Sequence, residues 1–594
     1  MKRLLLLFLC APVLAEDVET IHILPGSHLD IGFTDTPSAV RDKRVRVLDD
    51  AIEAAEKDPA FHWHEESGWV VHQWRLAHRN DAARQERLRA QLKAGRISIG
   101  AAWCNPHAAI FADHLDLLFF HLDDFERDLG VRPAVAVLND VPSYPEALVD
   151  AYARAKVRWV LVGANMSFTP PLPAGLAKTP FWWESAAGNR VLVYIDDDAY
   201  TAAYTRWGVD PYSARFFNPE AFPRDRGALS TMEAGIESML GKLAAPRDAV
   251  IVQHAFDNWD ARNAVKLPGF AKQWNEAKRK PRLSVGGPEA YFRHIEEKYG
   301  KDLPVRRGEW AGQWDAIRAA NPVWTWRVRE AMAALKADAT FEAKAALATA
   351  MEHSQGLGPG WGGMFTEEQT RAHAREVADL FATAVGPKLA AAGPPFAELP
   401  MCDLTCKETW KKYLGGVSGR LRAGRTWLGP FTFDQSPELK AEILYGFNSR
   451  EYATRFTVER AALKGAADGD VTVVFELPLN AAPKSLALAP ENSAAARAGR
   501  WLRGAPPPFV VAPEGVRVTG LEKPLRVTSP LIYSWCLVAD KADPNVTWLQ
   551  GCLVRQSLRA ELKDKQLKVF ALPDLYPGEP AVLGVNVRIE IVDE

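Results

Sequence analysis

The chain reads as an α/β fold, a seven-stranded-type β/α barrel followed by a helical bundle and a C-terminal β-sandwich. Three changes of pattern predict it. From about residue 19 to 300, short apolar runs alternate with amphipathic helical stretches, as in β/α units around a largely parallel sheet. From 322 to 393, Ala, Glu, Lys and Arg dominate at helical spacing, and Gly356 to Gly363 interrupts two long helices. After Gly393-Pro394-Pro395 the apolar period shortens to two, as in Val471-Thr472-Val473-Val474-Phe475-Glu476-Leu477 and Ala581-Val582-Leu583-Gly584-Val585-Asn586-Val587. Residues 16–310 are assigned to the barrel, 311–395 to the bundle and 396–594 to the sandwich.

Composition narrows the class. With 47% hydrophobic and 25% charged residues, the 594-residue chain is globular, neither disordered nor coiled coil. Its 72 basic residues balance 74 acidic ones, so no field favours nucleic acid or an anionic membrane. Twenty Trp against 13 Tyr is an aromatic surplus suited to stacking on sugar rings, although most indoles serve the core. Residues 1–15 read as a signal peptide: Lys2 and Arg3 precede the apolar Leu4 to Cys10, and Val13-Leu14-Ala15 ends in small residues. The mature chain is thus expected to be exported, periplasmic or extracellular, with no membrane contact beyond that peptide. In an oxidising compartment Cys402 with Cys406, and Cys536 with Cys552, are placed for local disulfides that leave Cys104 unpaired.

The strands expected at Ile21–Leu24, Val135–Leu138, Trp159–Val162, Val191–Tyr194 and Val250–Val252 each run into polar residues, and such strand ends carry ligands in parallel architectures. The first gives Ser27-His28-Leu29-Asp30-Ile31-Gly32-Phe33, in which His28 and Asp30 share a side if the strand stays extended: half a metal site, or a local turn. The second ends in Asn139-Asp140-Val141-Pro142, where Asp140 is a functional carboxylate or a turn former before a helix from about Glu146. Asp196-Asp197-Asp198 follow another strand with no basic neighbour in sequence, and so are solvated or face a cation or sugar hydroxyls. The last strand leads to Gln253-His254-Ala255-Phe256-Asp257-Asn258-Trp259, a mix of acid, amide and aromatic suited to a sugar subsite.

An early H-x-D-x-G, an Asp at a later strand end, and a bundle followed by β domains together resemble glycoside hydrolase family 38, the α-mannosidases. The resemblance covers most of residues 20–390 in order of elements. It implies that His28, Asp30, Asp140 and His353 bind zinc or another divalent metal. It further implies that Asp140 is the nucleophile, that Asp257 is the acid/base, and that Phe33 floors the sugar site. Gly95-Arg96-Ile97-Ser98-Ile99-Gly100 before Trp103 resembles a further family strand, and Trp103, Asp197, Trp259 and Asp315 are further expected substrate contacts, with Asp197 and Asp315 alternative acids. The sequence departs from the family pattern in having Pro142-Ser143 where Phe-Gly is usual, in lacking Gly-Asp-Phe before Asp257, and in having Ser354 after the bundle His.

The expected activity is zinc-dependent, retaining α-glycosidase action on mannose-containing or related glycans. A carboxylate pair serves that reaction, one attacking the anomeric carbon and one protonating the leaving oxygen. Two other readings differ in kind. A metal-dependent deacetylase would favour an Asp-Asp pair near the first strand and a close H-x-x-x-H, and neither is present. A catalytically inactive glycan-binding protein would keep the scaffold without the acid.

Overall fold

The computed structural model describes residues 18–164, 176–196, 200, 229–241, 243, 247–310, 318, 321–356, 366–386, 393–394, 398–415, 419–424, 439, 442–459, 471–501, 509–556, 558–563, 566–571, 580 and 582–593. The expected leader, Asp197 and Asp315 lie outside them.

Every apolar run expected as a strand forms one. In chain order the N-terminal strands are β1 (Thr20–Ser27), β2 (Trp63–Glu65), β3 (Ile97–Ile99), β4 (Val135–Asn139), β5 (Trp159–Gly163), β6 (Phe181–Glu184), β7 (Arg190–Asp196), β8 (Ala249–His254), β9 (Arg282–Val285) and β10 (Val305–Arg307). They make two five-stranded sheets, β3-β2-β1-β8 with β9 also on β1, and β10-β6-β7-β5-β4. All pairings in them are parallel except β6 with β7. The expectation of seven largely parallel strands is thereby corrected: the described residues hold ten, and β6 together with β10 runs against β7, β5 and β4. The cause is local, since Ser185 to Asn189 makes a tight turn with Gly188 at φ 83°, which folds β6 directly onto β7.

The two sheets meet. Ala101 N–H, just past β3, donates to Val135 O at the start of β4 (2.8 Å). Leu24, Val137, Leu161, Tyr194 and Ile251, from both sheets, share one core with Tyr291, Phe292 and Ile295. Those three lie on one helix, Pro288–Tyr299, and recur at the spacing that puts them on one face. Trp63, Ile97 and Ile99 point the other way, into a core with the helices α1 (Pro37–Lys57), α2 (Gly68–Ala77) and α3 (Ala82–Lys93). α1 starts at Thr36, whose side chain accepts from Ala39 N–H, with Pro37 at its first turn.

The expected pair of long helices is three among the described residues: Pro322–Ala334, Phe341–Ala350 and Glu367–Val385. The extra break falls at Leu335 to Thr340, where Thr340 starts the next helix by accepting from Ala343 N–H.

Beyond residue 419 two antiparallel sheets face each other. One orders Arg420–Gly424, Val471–Leu479, Thr547–Gln556, Ser534–Ala539 and Val510–Val511. The other orders Ile443–Phe447, Glu451–Glu459, Val582–Ile591, Leu525–Thr528, Val516–Thr519 and Ala487–Pro490. Their inner faces share a core in which Phe456 of one sheet stacks on Phe475 of the other, centroids 5.5 Å apart. No disulfide joins the described cysteines, against expectation. Cys406 Sγ is turned to the Asp403 carboxylate (3.2 Å) and Cys536 Sγ to Gln550 Oε1 (3.5 Å). Among the described residues no helix is long and apolar enough to cross a membrane.

Candidate active site

The site grows from the end of β1. Parallel pairing with β8 runs to Pro25 opposite His254 and resumes past both strands, where His28 bridges Asp257. His28 N–H donates to Phe256 O (3.1 Å) and Asn258 N–H to His28 O (2.8 Å). Asn258, at φ 45°, also donates its side-chain amide to Asp30 O (2.8 Å) and Thr34 Oγ1 (2.7 Å). The loops carrying H-x-D and Asp257 are therefore one unit. β4 delivers Asp140 with φ 59°, a left-handed conformation that Asp tolerates better than most residues, and its N–H donates to Gly163 O (3.0 Å). Beneath, the Asn139 and Gln253 amides pair head to head at 2.9 and 3.0 Å. Gly163 leaves room for them, since a Cβ there would come 2.1 Å from Asn139 Oδ1.

His353 arrives from the far side. It lies in the short turn His353–Gly356, just past the helix Phe341–Ala350 rather than within it. A stretch of backbone docks that turn: His353 N–H donates to Asn105 O (2.7 Å), His107 N–H donates to Met351 O (2.9 Å), and Pro106 bridges Glu352.

Thus His28, Asp30, Asp140 and His353 converge, each offering a donor atom within 4.8 Å of the others. His28 Nε2 and His353 Nε2 are 3.3 Å apart, and Asp30 Oδ1 lies 3.3 and 3.2 Å from them. Asp140 Oδ2 lies 4.0 and 3.7 Å from the same nitrogens. A tetrahedron of donors at zinc bond lengths has edges of about 3.3 Å, so the four fit such a cation with sub-ångström adjustment. Asp30 Oδ2 and Asp140 Oδ1 are buried without a hydrogen-bond partner among the described residues.

Electrostatics point the same way. Burial alone would lower the His28 imidazole, but Glu66 and Asp30 outweigh it and hold it well above the usual range. Burial is likewise outweighed at His353, by Glu352, Asp140 and Asp30. Burial would raise Asp30, and the two imidazoles instead hold it below the usual carboxylate range. Four carboxylates around two imidazoles call for positive charge, whether as protons or as a cation.

Asp257 is the exception. Burial, then the negative charge of Asp30, push its carboxyl up to about 7, with Asp140 adding to this and His28 and the Tyr200 hydrogen bond opposing it. Tyr200 donates its hydroxyl to Asp257 Oδ1 (2.6 Å), and its ring lies 4.6 Å from that of His28. Asp257 thus holds a proton beside a cluster of charged groups, the condition a general acid requires.

The other expected contacts divide. Phe33 and Trp259 are half-buried on the two loops that Asn258 ties together. Trp103 is corrected: it is fully buried, donates its indole N–H to Thr349 Oγ1 (2.9 Å), and packs with Phe120 and Phe341 in the core. Asp196 has a basic neighbour in space that sequence order hides, Lys178 Nζ at 3.3 Å. Residues unforeseen from sequence are Glu66, Glu352, Tyr200 and Asn105, while Asn258, expected in a sugar subsite, instead ties the two loops together. Glu66 follows directly on β2, so the strand-end criterion extended to Trp63-His64-Glu65 would have raised it.

Comparison with known proteins agrees with this geometry. Residues 19–309 match the family model described as glycosyl hydrolases family 38 N-terminal domain. No curated protein matches the chain. Among solved structures, an α-mannosidase from Enterococcus faecalis V583 superposes with TM-score 0.56 at 11% identity, over 97% of this chain and 87% of that one. A glycosyl hydrolase family 38 protein from Enterococcus faecalis gives TM-score 0.50 at 11% identity, over 97% and 86%. These likenesses extend the shared fold past residue 309. Residues 19–309 therefore belong to glycosyl hydrolases family 38, and the chain is a glycoside hydrolase.

Proposed function

We propose that the protein is a metal-dependent, retaining α-glycosidase of the α-mannosidase type, acting outside the cytoplasm on mannose-containing or related glycans, with zinc as its metal. The observation that carries this reading is the convergence of His28, Asp30, Asp140 and His353 beside Asp257.

The sugar enters with its anomeric carbon facing Asp140, which attacks and forms a glycosyl ester. Asp257, protonated up to about pH 7, gives its proton to the departing oxygen and then, as carboxylate, takes one from the incoming water. Tyr200 keeps the Asp257 carboxyl oriented through its hydroxyl. Phe33 and Trp259 provide apolar surface for the ring. The bound cation would hold sugar hydroxyls and neutralise charge beside Asp140. On this reading the two sheets form one barrel with the site at its carboxyl end.

Metal content and turnover test this together. The purified chain should carry about one zinc, lost in the His28→Ala, His353→Ala double variant, and should release mannose from aryl α-mannosides with retained configuration. Acetate release without glycosidic cleavage would replace this with a deacetylase. Tight glycan binding with no product in metal-replete protein would mark an inactive binding protein.

A further inference from the structure

Two buried carboxylates take no part in the four-donor cluster, yet both touch it. Glu66 is 2% exposed and Glu352 is fully buried. Neither carboxylate is paired with a Lys or Arg side chain among the described residues, although Arg318 Nη2 donates to the Glu352 backbone O (2.9 Å), whereas the adjacent Glu65 carboxylate is held by Arg44 through both its oxygens at 2.7 Å. Glu66 Oε2 lies 3.1 Å from His28 Nδ1 and accepts Leu29 N–H at 2.8 Å. Glu352 Oε1 lies 2.8 Å from His353 Nδ1 and 3.5 Å from Ile31 N. Its Oε2 accepts from Ser354 N–H (3.0 Å) and Ser354 Oγ–H (2.6 Å).

The arrangement alternates along the chain. Residues 28 and 30 send their side chains to the cluster, while the backbone N–H groups of 29 and 31 face the two glutamates. We infer that Glu66 and Glu352 are positioning residues for the cation site, each fixing one imidazole with Nε2 toward the cluster while together they grip the backbone between His28 and Ile31. This rests on the metal-centre reading above. A carboxylate on Nδ1–H fixes the tautomer, orients the ring and makes Nε2 a stronger donor.

The two glutamates differ in a way that a test can read. At Glu66 one oxygen takes both bonds, so an amide oxygen in its place preserves them and Glu66→Gln removes only the charge. At Glu352 both oxygens accept, so Glu352→Gln sets an NH₂ against either the His353 Nδ1–H or the Ser354 N–H. Second-sphere changes of this kind alter metal affinity about 10–100-fold, and the gentler loss belongs to Glu66→Gln.

The experiment is zinc affinity of the full chain by competition with a chelator of known strength, together with zinc content and thermal melting of the metal-free protein. The expected result is roughly 10-fold weaker binding in Glu66→Gln and roughly 100-fold weaker in Glu352→Gln, with metal-free melting close to wild type. Should Glu352→Gln fail to fold, Glu66→Gln and Ser354→Ala, which removes one bond to Glu352, carry the same measurement. Wild type that binds zinc with variants that bind it equally tightly would overturn this inference alone. Wild type that binds no zinc would overturn the metal-centre reading and this inference with it.

Discussion

The two halves of the molecule both bury apolar cores, but among the described residues only the first also buries a cluster of charged groups. Around the ends of β1, β2 and β4 the chain encloses His28, Asp30, Arg44, Glu65, Glu66, Glu352 and His353, all at most 2% exposed. Among the described residues past 398, Glu476 is the one buried carboxylate, and the core there is Val, Leu, Ile, Ala, Phe, Tyr and Trp. Burying an ionised group costs several kcal/mol unless it is paired and hydrogen-bonded. A chain that does this repeatedly at one place gives up stability for chemistry, whereas an apolar core of the second kind gains stability and does no more.

Substitutions should therefore separate turnover from stability, and the largest separation is expected at Asp140. Asp140→Ala should reduce kcat by at least about 10⁴-fold while leaving the melting temperature unchanged or raised, because one carboxylate leaves a crowded group. Measurable turnover above that level would break the contrast at its strongest point.

Asp257→Asn sharpens the contrast through pH. It should lower kcat/KM about 10²–10⁴-fold, with the loss smaller for substrates whose leaving group needs no proton. In wild type, kcat/KM should fall as pH rises through about 7, and at lower pH if a bound cation draws the carboxyl down. Stability follows with a definite sign. The folded carboxyl lies above its ordinary value of 3.8, so the metal-free wild type loses stability as pH rises from about 4 to about 7. Asp257→Asn lacks that loss, and calorimetry at pH 8 should find it no less stable than wild type.

Leu549→Ala probes the other half. Leu549 is fully buried between the C-terminal sheets, and truncation should destabilise by about 2–5 kcal/mol with kcat intact in the folded protein. A kcat loss exceeding about 3-fold, too large to arise from a remote cavity alone, would mean that the two halves are coupled more tightly than their cores suggest.

The same contrast explains what was legible in the sequence. Strand ends are local, so His28, Asp30, Asp140 and Asp257 could be placed by the apolar runs before them, and His353 entered through the family resemblance. What escaped is pairwise in space. Glu66 meets His28 across 38 positions and Lys178 meets Asp196 across a hairpin. Trp103 stands near a site loop in sequence, yet its ring turns into the core because Thr349, 246 positions away, takes its N–H. The reversal of β6 depends on a five-residue turn, and the cysteine pairs were suggested by spacing alone.

The short backbone exchange between residues 105–107 and 351–353 has a consequence for how the four-donor cluster can be made and lost. Three of the four donors lie within residues 19–309 and the fourth comes from a separate run of helices, so the centre is a joint between parts rather than a property of one part. During synthesis it closes only when the second part docks. A substitution at that seam that touches no donor can undo the centre by letting the joint slip, and a fragment ending at residue 309 would carry the family domain without the means to complete it.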